Sequence, residues 1–399
     1  MKVLVFYPYI PYPIDRGTYQ RAYHLLRGIA REHEVDFLSL TEGGERMDQA
    51  NHFGEFCNRV KFIPFEHPPW PKLFPDRLLN AMPTSIRHWQ QPHVQEEVNE
   101  FLKGQNYDFA HVCDIVMLPY LFDQHDIPIS VDRSRVDLQY QVMQVEARNP
   151  PLRDKLLDWE GIIKVRWFEQ KVAKRVKMEV VCGPDDIVFI RDRISRDVPV
   201  SVIGNGVDLG FFRPDSVPDN RAEKPTVLFC GAMDYVPNTN GLEWFFDQVF
   251  DDLKSKVPDL EILLVGRSPT EQVKSYGSKP SVTVTGGVPD VRPYYRRSWM
   301  QIVPLLIGGG TRLKIVESMA IGTPVISTTI GAQGLGIRHD HDILLADSPA
   351  EFVTQIERAV SDARLREKLD REGQKTANER FSWKYFGERL CAEYQQAFG

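Results

Sequence analysis

The chain has 399 residues, of which 42% are hydrophobic and 26% charged, and its formal net charge is −6. This composition is that of an ordinary globular protein of two or three domains, and the slightly acidic balance argues against a nucleic-acid-binding protein, which normally carries a basic surface. The five cysteines form an odd set without CxxC spacing, so they favour reduced thiols in a cytoplasmic protein over a disulfide framework or a zinc site.

No segment reads as a membrane anchor. The chain passes from Met1 directly into an apolar run that is too short for a signal peptide, and no stretch approaches the ~18 apolar residues of a membrane span. We therefore expect any membrane contact to be peripheral, at the inner face of the cell membrane.

Short apolar runs, each followed by a helical pattern, recur in two series. The first series of predicted strands is 3–7, 35–40, 60–64, 109–113, 129–132, 180–183 and 200–203. After a polar, proline-bearing stretch at 211–225, the second series is 227–231, 262–266, 282–285, 300–305, 325–328 and 343–346. Apolar strands that alternate with helices are typical of parallel sheets covered on both faces. The sequence thus predicts an α/β chain of two doubly wound, Rossmann-like domains.

We place the first domain at 1–207, joined by a C-terminal helix at about 381–399, and the second domain at 208–380. In open sheets of this kind, ligands bind beyond the carboxyl ends of the strands. The loops that follow the strands, and a cleft between the two domains, are therefore where we expect the chemistry.

The strongest candidate loop follows the predicted strand 300–305. Three glycines, Gly308, Gly309 and Gly310, lead into an amphipathic helix that Gly322-Thr323-Pro324 ends. Free backbone N–H groups of a glycine-rich turn and the positive end of the helix dipole bind phosphate groups. The plainer interpretation is a tight turn that needs glycine for its backbone angles.

The polar face of the same helix adds side chains suited to a nucleotide-sugar. Thr311, Arg312 and Lys314 offer donors for a diphosphate, and Glu317 offers an acceptor for ribose hydroxyls. The alternative for Lys314 and Glu317 is a solvated ion pair at i,i+3 spacing. We favour the binding role because the helix begins at an anion site.

Five motifs, in this order and spacing, resemble the retaining glycosyltransferases of family 4 (glycosyltransferase group 1), which have the GT-B fold. They are NGVD (205–208), VLFCGAMDYVPNTNGLEWF (227–245), ILLVGR (262–267), VTGGVPDVRPYY (284–295) and GGGTRLKIVESMAIGTPVIST (308–328). The resemblance covers nearly the whole chain and is strongest to transferases of bacterial exopolysaccharide and cell-envelope glycan assembly.

The resemblance implies roles for particular positions. Glu317 matches the glutamate that contacts the donor ribose, and Gly310 with Thr311 matches the diphosphate-binding turn. Gly17 matches a loop that lies over the donor phosphates, and His111 resembles a histidine placed near the transferred sugar. From the residues alone, a histidine at a strand end is more often packed and hydrogen-bonded than catalytic.

Two departures from the family pattern make the helix that follows the glycines the main candidate for binding the donor diphosphate. The first acid of the family's Glu-x7-Glu pair falls on Gly309, and the family's Arg and Lys after the first strand of the second domain are absent. Arg312 and Lys314 are then the best candidates to meet the diphosphate charge, with Arg267 third, although Arg267 fits a plain surface arginine equally well.

Several further residues and segments have alternative interpretations. Asp114 and Asp132 are rival contacts to sugar hydroxyls, NGVD is interpreted as structural, and Asp234 or Asn238 is expected to cap a helix.

The segment 65–83, with Trp70, Phe74, Leu78 and Leu79, either touches lipid or acceptor or packs as a long loop. The run 153–178 has eight cations and four acids, so it either lies on an anionic membrane or, as we favour, packs on the first sheet by Ile162, Ile163, Trp167 and Val172.

The sequence thus predicts a metal-independent, retaining hexosyltransferase that uses a UDP- or GDP-sugar as substrate and needs no cofactor. The acceptor is a saccharide, a lipid-linked sugar or a small molecule, and nucleic acid is not a partner. A nucleotide-sugar epimerase or sugar phosphorylase of the same fold, or a non-catalytic sugar-nucleotide-binding subunit, remain the alternatives.

Overall fold

The computed structural model describes residues 1–14, 17–42, 50–68, 80–148, 152–307 and 312–399. The chain divides into two compact units. The first unit consists of residues 1–204 together with 386–399, and the second of residues 205–385. Each unit is built around its own parallel sheet.

The sheet of the first unit has seven strands in the order β3-β2-β1-β4-β5-β6-β7, all parallel. Their bounds are β1 Lys2–Tyr7, β2 Glu34–Glu42, β3 Arg59–Phe65, β4 Phe109–Cys113, β5 Ile129–Arg133, β6 Met178–Val181 and β7 Val200–Val202. The central strands are apolar on both sides because helices cover both faces of the sheet.

The helices of the first unit follow the strands in alternation. They are α1 Gly17–Glu32, α2 Ala50–Gly54, α3 Thr84–Arg87, α4 Pro92–Leu102, a 3-10 helix at Ile115–Leu121, α5 Asp137–Arg148, α6 Leu152–Arg175 and α7 Pro184–Arg193. One face of α6 supplies Val165, Phe168 and Val172 to the buried core of the unit. The prediction that Ile163 and Trp167 also pack on the sheet is wrong, since 44% and 65% of their surfaces are exposed.

The sheet of the second unit has six parallel strands in the order β10-β9-β8-β11-β12-β13. The strands are β8 Thr226–Cys230, β9 Glu261–Val265, β10 Val282–Gly286, β11 Met300–Val303, β12 Val325–Ser327 and β13 Leu344–Leu345. Its helices are α8 Val236–Gln248, α9 Phe250–Lys256, α10 Glu271–Tyr276, α11 Arg292–Arg297, α12 Leu313–Ile321, α13 Pro349–Ser361 and α14 Ala363–Arg380. All thirteen predicted strands are present, and the predicted pair of doubly wound sheets is confirmed.

The helix ends of the second unit follow local sequence signals. Gly322 ends α12 in the left-handed conformation, with φ 83°, where a residue with a side chain would be strained. Ser348 begins α13 with a capping box, in which its side chain accepts from the N–H of Glu351 while Glu351 reaches back to the start of the helix.

The last helix, α15 (Trp383–Phe398), completes the first unit. Its Phe398 ring stacks on Phe109 of β4 with 4.4 Å between centroids, and the thiol of Cys391 donates to the carbonyl of Gly28 in α1. None of the described helices is both long and apolar enough to cross a bilayer.

Two glycines let α1 and α15 approach backbone to backbone. A Cβ added at Gly28 would lie 2.9 Å from the Cα of Gly387, closer than real carbon contacts. We expect Gly28→Ala to destabilise the first unit by about 1–3 kcal/mol, the usual cost of overpacking, measured by thermal unfolding. Gly54→Ala is the matched control, because nothing lies within 4 Å of its added Cβ. Equal unfolding temperatures for the two variants would contradict the close approach.

Candidate functional site

Strand order places one crevice in each sheet. In the second unit, β8 pairs with β9 on one side and with β11 on the other. The chain therefore passes from β8 to β9 in one direction along the sheet and from β11 to β12 in the opposite direction. Ligands of open α/β sheets bind at this point, beyond the carboxyl ends of the two strands. The loop that begins at Gly231 follows β8, and α12 follows β11. The sequence candidates Arg312, Lys314 and Glu317 therefore lie at the crevice.

Lys314 directs its ammonium back over the end of β8. Its Nζ donates to Oδ1 of Asn238 at 2.8 Å and lies 4.5 Å from the centroid of the Phe229 ring. Gly231 leaves room for this side chain, since an added Cβ there would lie 2.8 Å from Nζ. Burial is the main cause that lowers the pKa of Lys314 to about 8; Cys230 and Glu317 oppose the shift, and Arg312 adds to it.

Glu317 lies one helical turn further along α12. Its Oε2 accepts a long hydrogen bond of 3.4 Å from the hydroxyl of Tyr295. Burial raises the pKa of Glu317 to about 7, and the bond from Tyr295 and the charge of Lys314 only partly offset that effect. A carboxylate this poorly compensated has acceptor capacity left for a ligand.

The alternative of an ion pair between Lys314 and Glu317 is not what the structure shows. The two side chains, both of which are described, do not approach within the 4.0 Å of an ion pair, and Lys314 bonds to Asn238 instead. A half-buried lysine and a half-buried glutamate therefore lie three residues apart on one helix without forming an ion pair. Groups perturbed in this way are typical of binding and catalytic sites.

Two arginines flank this pair. Arg312 immediately precedes α12, and its pKa is lowered by burial, against which Tyr235 acts. Arg267 follows β9, the neighbour of β8, and is exposed; only its carbonyl, which accepts from the N–H of Met233 at 2.9 Å, bonds to another described residue. The predicted turn residues Gly308, Gly309, Gly310 and Thr311 lie outside the described residues.

Sequence reasoning missed two side chains of this site. Asn238, expected as a helix cap, instead lies inside α8, whose cap position is Tyr235; its Nδ2 donates to the carbonyl of Ala232 at 2.6 Å and its Oδ1 holds Lys314. Tyr295 is buried in α11 and holds Glu317. A buried asparagine among the apolar residues of α8 was the available signal for the first, and no sequence signal marked the second.

The first-unit candidates are more deeply buried. His111 lies in the middle of β4 with no exposed surface, and its Nδ1 shares a hydrogen bond of 2.5 Å with the hydroxyl of Tyr394 in α15. Burial lowers the pKa of His111 to about 4, so the imidazole is neutral at physiological pH. The structure thus places His111 in a packed, hydrogen-bonded environment, and its contact with a sugar stays a prediction.

Asp132 is also internal. Its carboxylate accepts from Nε of Arg21 at 3.0 and 3.1 Å and from the terminal nitrogen at 2.5 Å, and Arg21 further donates to the carbonyls of Ile203 and Gly204. The ion pair ties α1 to β5, and the bonds to Ile203 and Gly204 tie α1 to the residues that follow β7. A sugar contact for Asp132 stays a prediction, and the structural partner it already has is Arg21.

Gly17 and Asp114 lie at the crevice of the first sheet, between β1 and β4. Gly17 is the exposed first residue of α1, and Asp114 caps the 3-10 helix through the N–H of Val116 at 3.3 Å. Burial raises the pKa of Asp114. Their predicted ligand roles stay predictions.

Asp208 accepts hydrogen bonds from the N–H groups of Gly210 and Phe211 and so has the structural role expected of NGVD.

The residues named for the segment 65–83 (Trp70, Phe74, Leu78 and Leu79) lie outside the described part of the chain.

Comparison with known proteins gives one family match and several relatives. Residues 224–362, which include the crevice of the second sheet, match the family model "Glycosyl transferases group 1". An uncharacterized 44.6 kDa protein in the cps region of Klebsiella pneumoniae is 25% identical over 378 residues, which cover 89% of this chain and 90% of that protein.

Two solved structures are similar over the whole chain. Sucrose-phosphate synthase from Thermosynechococcus elongatus superposes with a TM-score of 0.72 at 18% identity, covering 100% of this chain and 99% of that one. Anabaena HepE in complex with UDP and glucose superposes with a TM-score of 0.66 at 13% identity, covering 99% and 100%. At these identities the likeness bears on the fold.

Proposed function

We propose, from the glycosyl transferases group 1 domain at residues 224–362 and the GT-B fold of the chain, that this protein transfers a sugar from a nucleotide-diphosphate sugar to an acceptor. The donor is a UDP- or GDP-sugar, and the anomeric configuration of the sugar is retained. The acceptor is a saccharide, a lipid-linked sugar or a small molecule of bacterial polysaccharide assembly. The relative in a cps region and the UDP complex of HepE support this choice of class.

One observation carries the proposal: Lys314 and Glu317 are half-buried, have pKa values that burial shifts toward the neutral forms, lie on the helix at the crevice, and do not pair with each other. A diphosphate beside Lys314 supplies the anion that the ammonium lacks. Ribose hydroxyls beside Glu317 supply the donors that its carboxylate lacks. A nucleotide-sugar therefore satisfies both groups at once, whereas a simple anion satisfies only one of them.

The same geometry accounts for catalysis in electrostatic terms. As the bond between the sugar and the diphosphate breaks, negative charge grows on the leaving phosphate oxygens. Lys314 is held in place by Asn238, and Arg312 and Arg267 stand at the same edge of the sheet. Charges fixed in advance where charge develops commonly provide the largest catalytic contribution. The proposal assigns this role to protein cations, with the acceptor hydroxyl attacking from the face that the diphosphate leaves.

The direct test is slow hydrolysis of radiolabelled donors in the absence of acceptor. We expect one UDP- or GDP-sugar to release free sugar at a rate proportional to protein concentration, without added phosphate. Release that requires phosphate would identify a phosphorylase, and a changed sugar still attached to the nucleotide would identify an epimerase. If the protein neither binds nor hydrolyses any of the donors, that result contradicts the proposal.

Donor binding is expected to depend on pH with a maximum between about pH 7 and 8. The carboxylate of Glu317 is the accepting form, so affinity falls as the pH drops below its pKa of about 7. The ammonium of Lys314 is the anion-binding form, so affinity also falls as the pH rises above its pKa of about 8. Titration calorimetry with intact donor, whose diphosphate keeps its charge over this range, measures the profile.

Glu317→Gln separates the two limbs of that profile. The glutamine keeps an acceptor oxygen but does not titrate, so the acid limb should disappear while the alkaline limb remains. A variant whose affinity still falls below pH 7 would assign the acid limb to another group.

A further inference from the structure

The outward face of α6 has an unusual composition. Between Leu157 and Lys177, where the structure describes every side chain, seven residues are exposed: Trp159, Ile163, Arg166, Trp167, Lys171, Lys174 and Lys177. Three are large and apolar, and the other four are cations. The exposed fraction is 62% for Trp159 and 65% for Trp167. Because both tryptophans are mostly exposed to solvent, they do not contribute to the core of the unit.

These residues form a continuous strip. Counted from Trp159, the residues Ile163, Arg166, Trp167 and Lys174 lie four, seven, eight and fifteen positions further along the chain. All five therefore lie on one side of a helix with 3.6 residues per turn. We call these five residues the α6 stripe. Val165, Phe168 and Val172 hold the opposite side of the helix in the core. The helix is therefore already anchored, and the stripe is a second, outward apolar surface.

The exposed charges around the stripe have one sign. The acids within residues 157–177 are Asp158, Glu160 and Glu169, and none of them is exposed: Asp158 is half-buried, Glu160 pairs with Lys164, and Glu169 is buried against Arg133. On the neighbouring helix α5, Tyr140 and Met143 are exposed as well. A surface of indole rings and aliphatic side chains edged by lysine and arginine matches a bilayer interface with anionic headgroups.

We propose that the α6 stripe docks the first unit on the surface of an anionic lipid bilayer. The two indoles and Ile163 enter the headgroup region, and Arg166 and Lys174 pair with lipid phosphates. Tryptophan favours this depth because its ring is apolar and its N–H still finds a hydrogen-bond partner. The proposal is independent of the sugar-transfer proposal, because it involves none of the residues assigned to the donor.

A second copy of the chain is the less favourable occupant. In a two-fold dimer the same patch meets itself, so the cations of one stripe would face the cations of the other. Like charges placed opposite each other disfavour association, and no outward acid within the stripe compensates them. A bilayer containing acidic lipids has the complementary charge and needs no matching shape.

The test is co-sedimentation of the full chain with sucrose-loaded vesicles. One set contains phosphatidylcholine alone, and the other contains about one-third phosphatidylglycerol. We expect binding to the acidic vesicles that weakens as salt is added. Trp159→Ser/Ile163→Ser/Trp167→Ser and, separately, Arg166→Gln/Lys174→Gln should each reduce partition into acidic vesicles about tenfold or more.

Helix α7 of the same unit provides a matched control. Val188 is 59% exposed there, and Arg191 and Arg193 are exposed in its last turn. Val188→Ser/Arg191→Gln/Arg193→Gln should bind like the wild type. The proposal is overturned if the wild type does not bind acidic vesicles, if neutral and acidic vesicles bind equally, or if the stripe variants bind as well as the wild type. A wild-type dimer that the stripe variants convert to monomer, seen by analytical ultracentrifugation, would also overturn it.

Discussion

Lys314→Met is expected to lower sugar-transfer turnover by about 10²–10³-fold, the usual cost of removing one preorganised charge from a transition state. The same change should leave the unfolding temperature unchanged or higher. Burial lowers the pKa of Lys314, which means that the folded protein binds this proton less tightly than the unfolded chain. Its contribution to stability is therefore complete only above the ordinary lysine pKa and is lost as the pH falls through about 8, so a neutral side chain removes a cost at pH 7.

Lys254 is the matched control for this prediction. It is a partly buried lysine of the same unit, and its ammonium donates to backbone carbonyls, at 3.0 Å in the case of Leu260. Lys254→Met should lower the unfolding temperature and leave turnover unchanged. Steady-state kinetics and calorimetry on both variants give the comparison. If Lys314→Met unfolds earlier and keeps its turnover, then Lys314 is a structural residue.

Arg21→Met is expected to destabilise the first unit by about 3–5 kcal/mol, because it leaves the carboxylate of Asp132 buried without its cation. Both side chains are almost entirely buried, and Arg21 also satisfies two backbone carbonyls at the end of the first unit. For a unit of this size the unfolding temperature of the first unit should fall by roughly 10 °C. Differential scanning calorimetry, with donor binding as a measure of the intact second unit, follows the change.

The double variant Arg21→Met/Asp132→Leu distinguishes charge from packing. Removing both charges removes the unpaired carboxylate, so the double variant should be clearly more stable than Arg21→Met alone. The exposed pair of Lys274 and Glu271 is the surface control, and Lys274→Met there should change the unfolding temperature little. An Arg21→Met protein as stable as the wild type would show that the buried pair does not hold the unit together.

Strand positions were predictable from the sequence, and so was the helix that carries the candidate site, because both depend on local patterns. Apolar β-branched runs marked all thirteen strands, and the glycine-rich turn pointed to α12. The environment of α12 was not predictable. The partners of Lys314 and Glu317 are Asn238 and Tyr295, which lie 76 and 22 residues away along the chain. Only the folded sheet brings such partners together.

Two further residue groups show the limits of periodicity. Ile163 and Trp167 have the apolar character of core residues, but the inward face of α6 is already filled by Val165, Phe168 and Val172, so the sequence could not tell which apolar strip faces the sheet. His111 stands in an apolar strand, and its partner Tyr394 arrives from the last helix. A pattern read over a few residues cannot reveal that bond.

The first unit is built from two separate segments of the chain, and this has a consequence for folding during synthesis. Its sheet comes from residues 1–204, but α15 leaves the ribosome only after the second unit has been synthesised. Domains generally fold as units in the order in which they are synthesised. Here the second unit can fold first, while the first waits with Phe109 and His111 lacking Phe398 and Tyr394. A nascent chain stalled before α15 should therefore keep its N-terminal half sensitive to protease, and a chain long enough to expose α15 should have both halves protected.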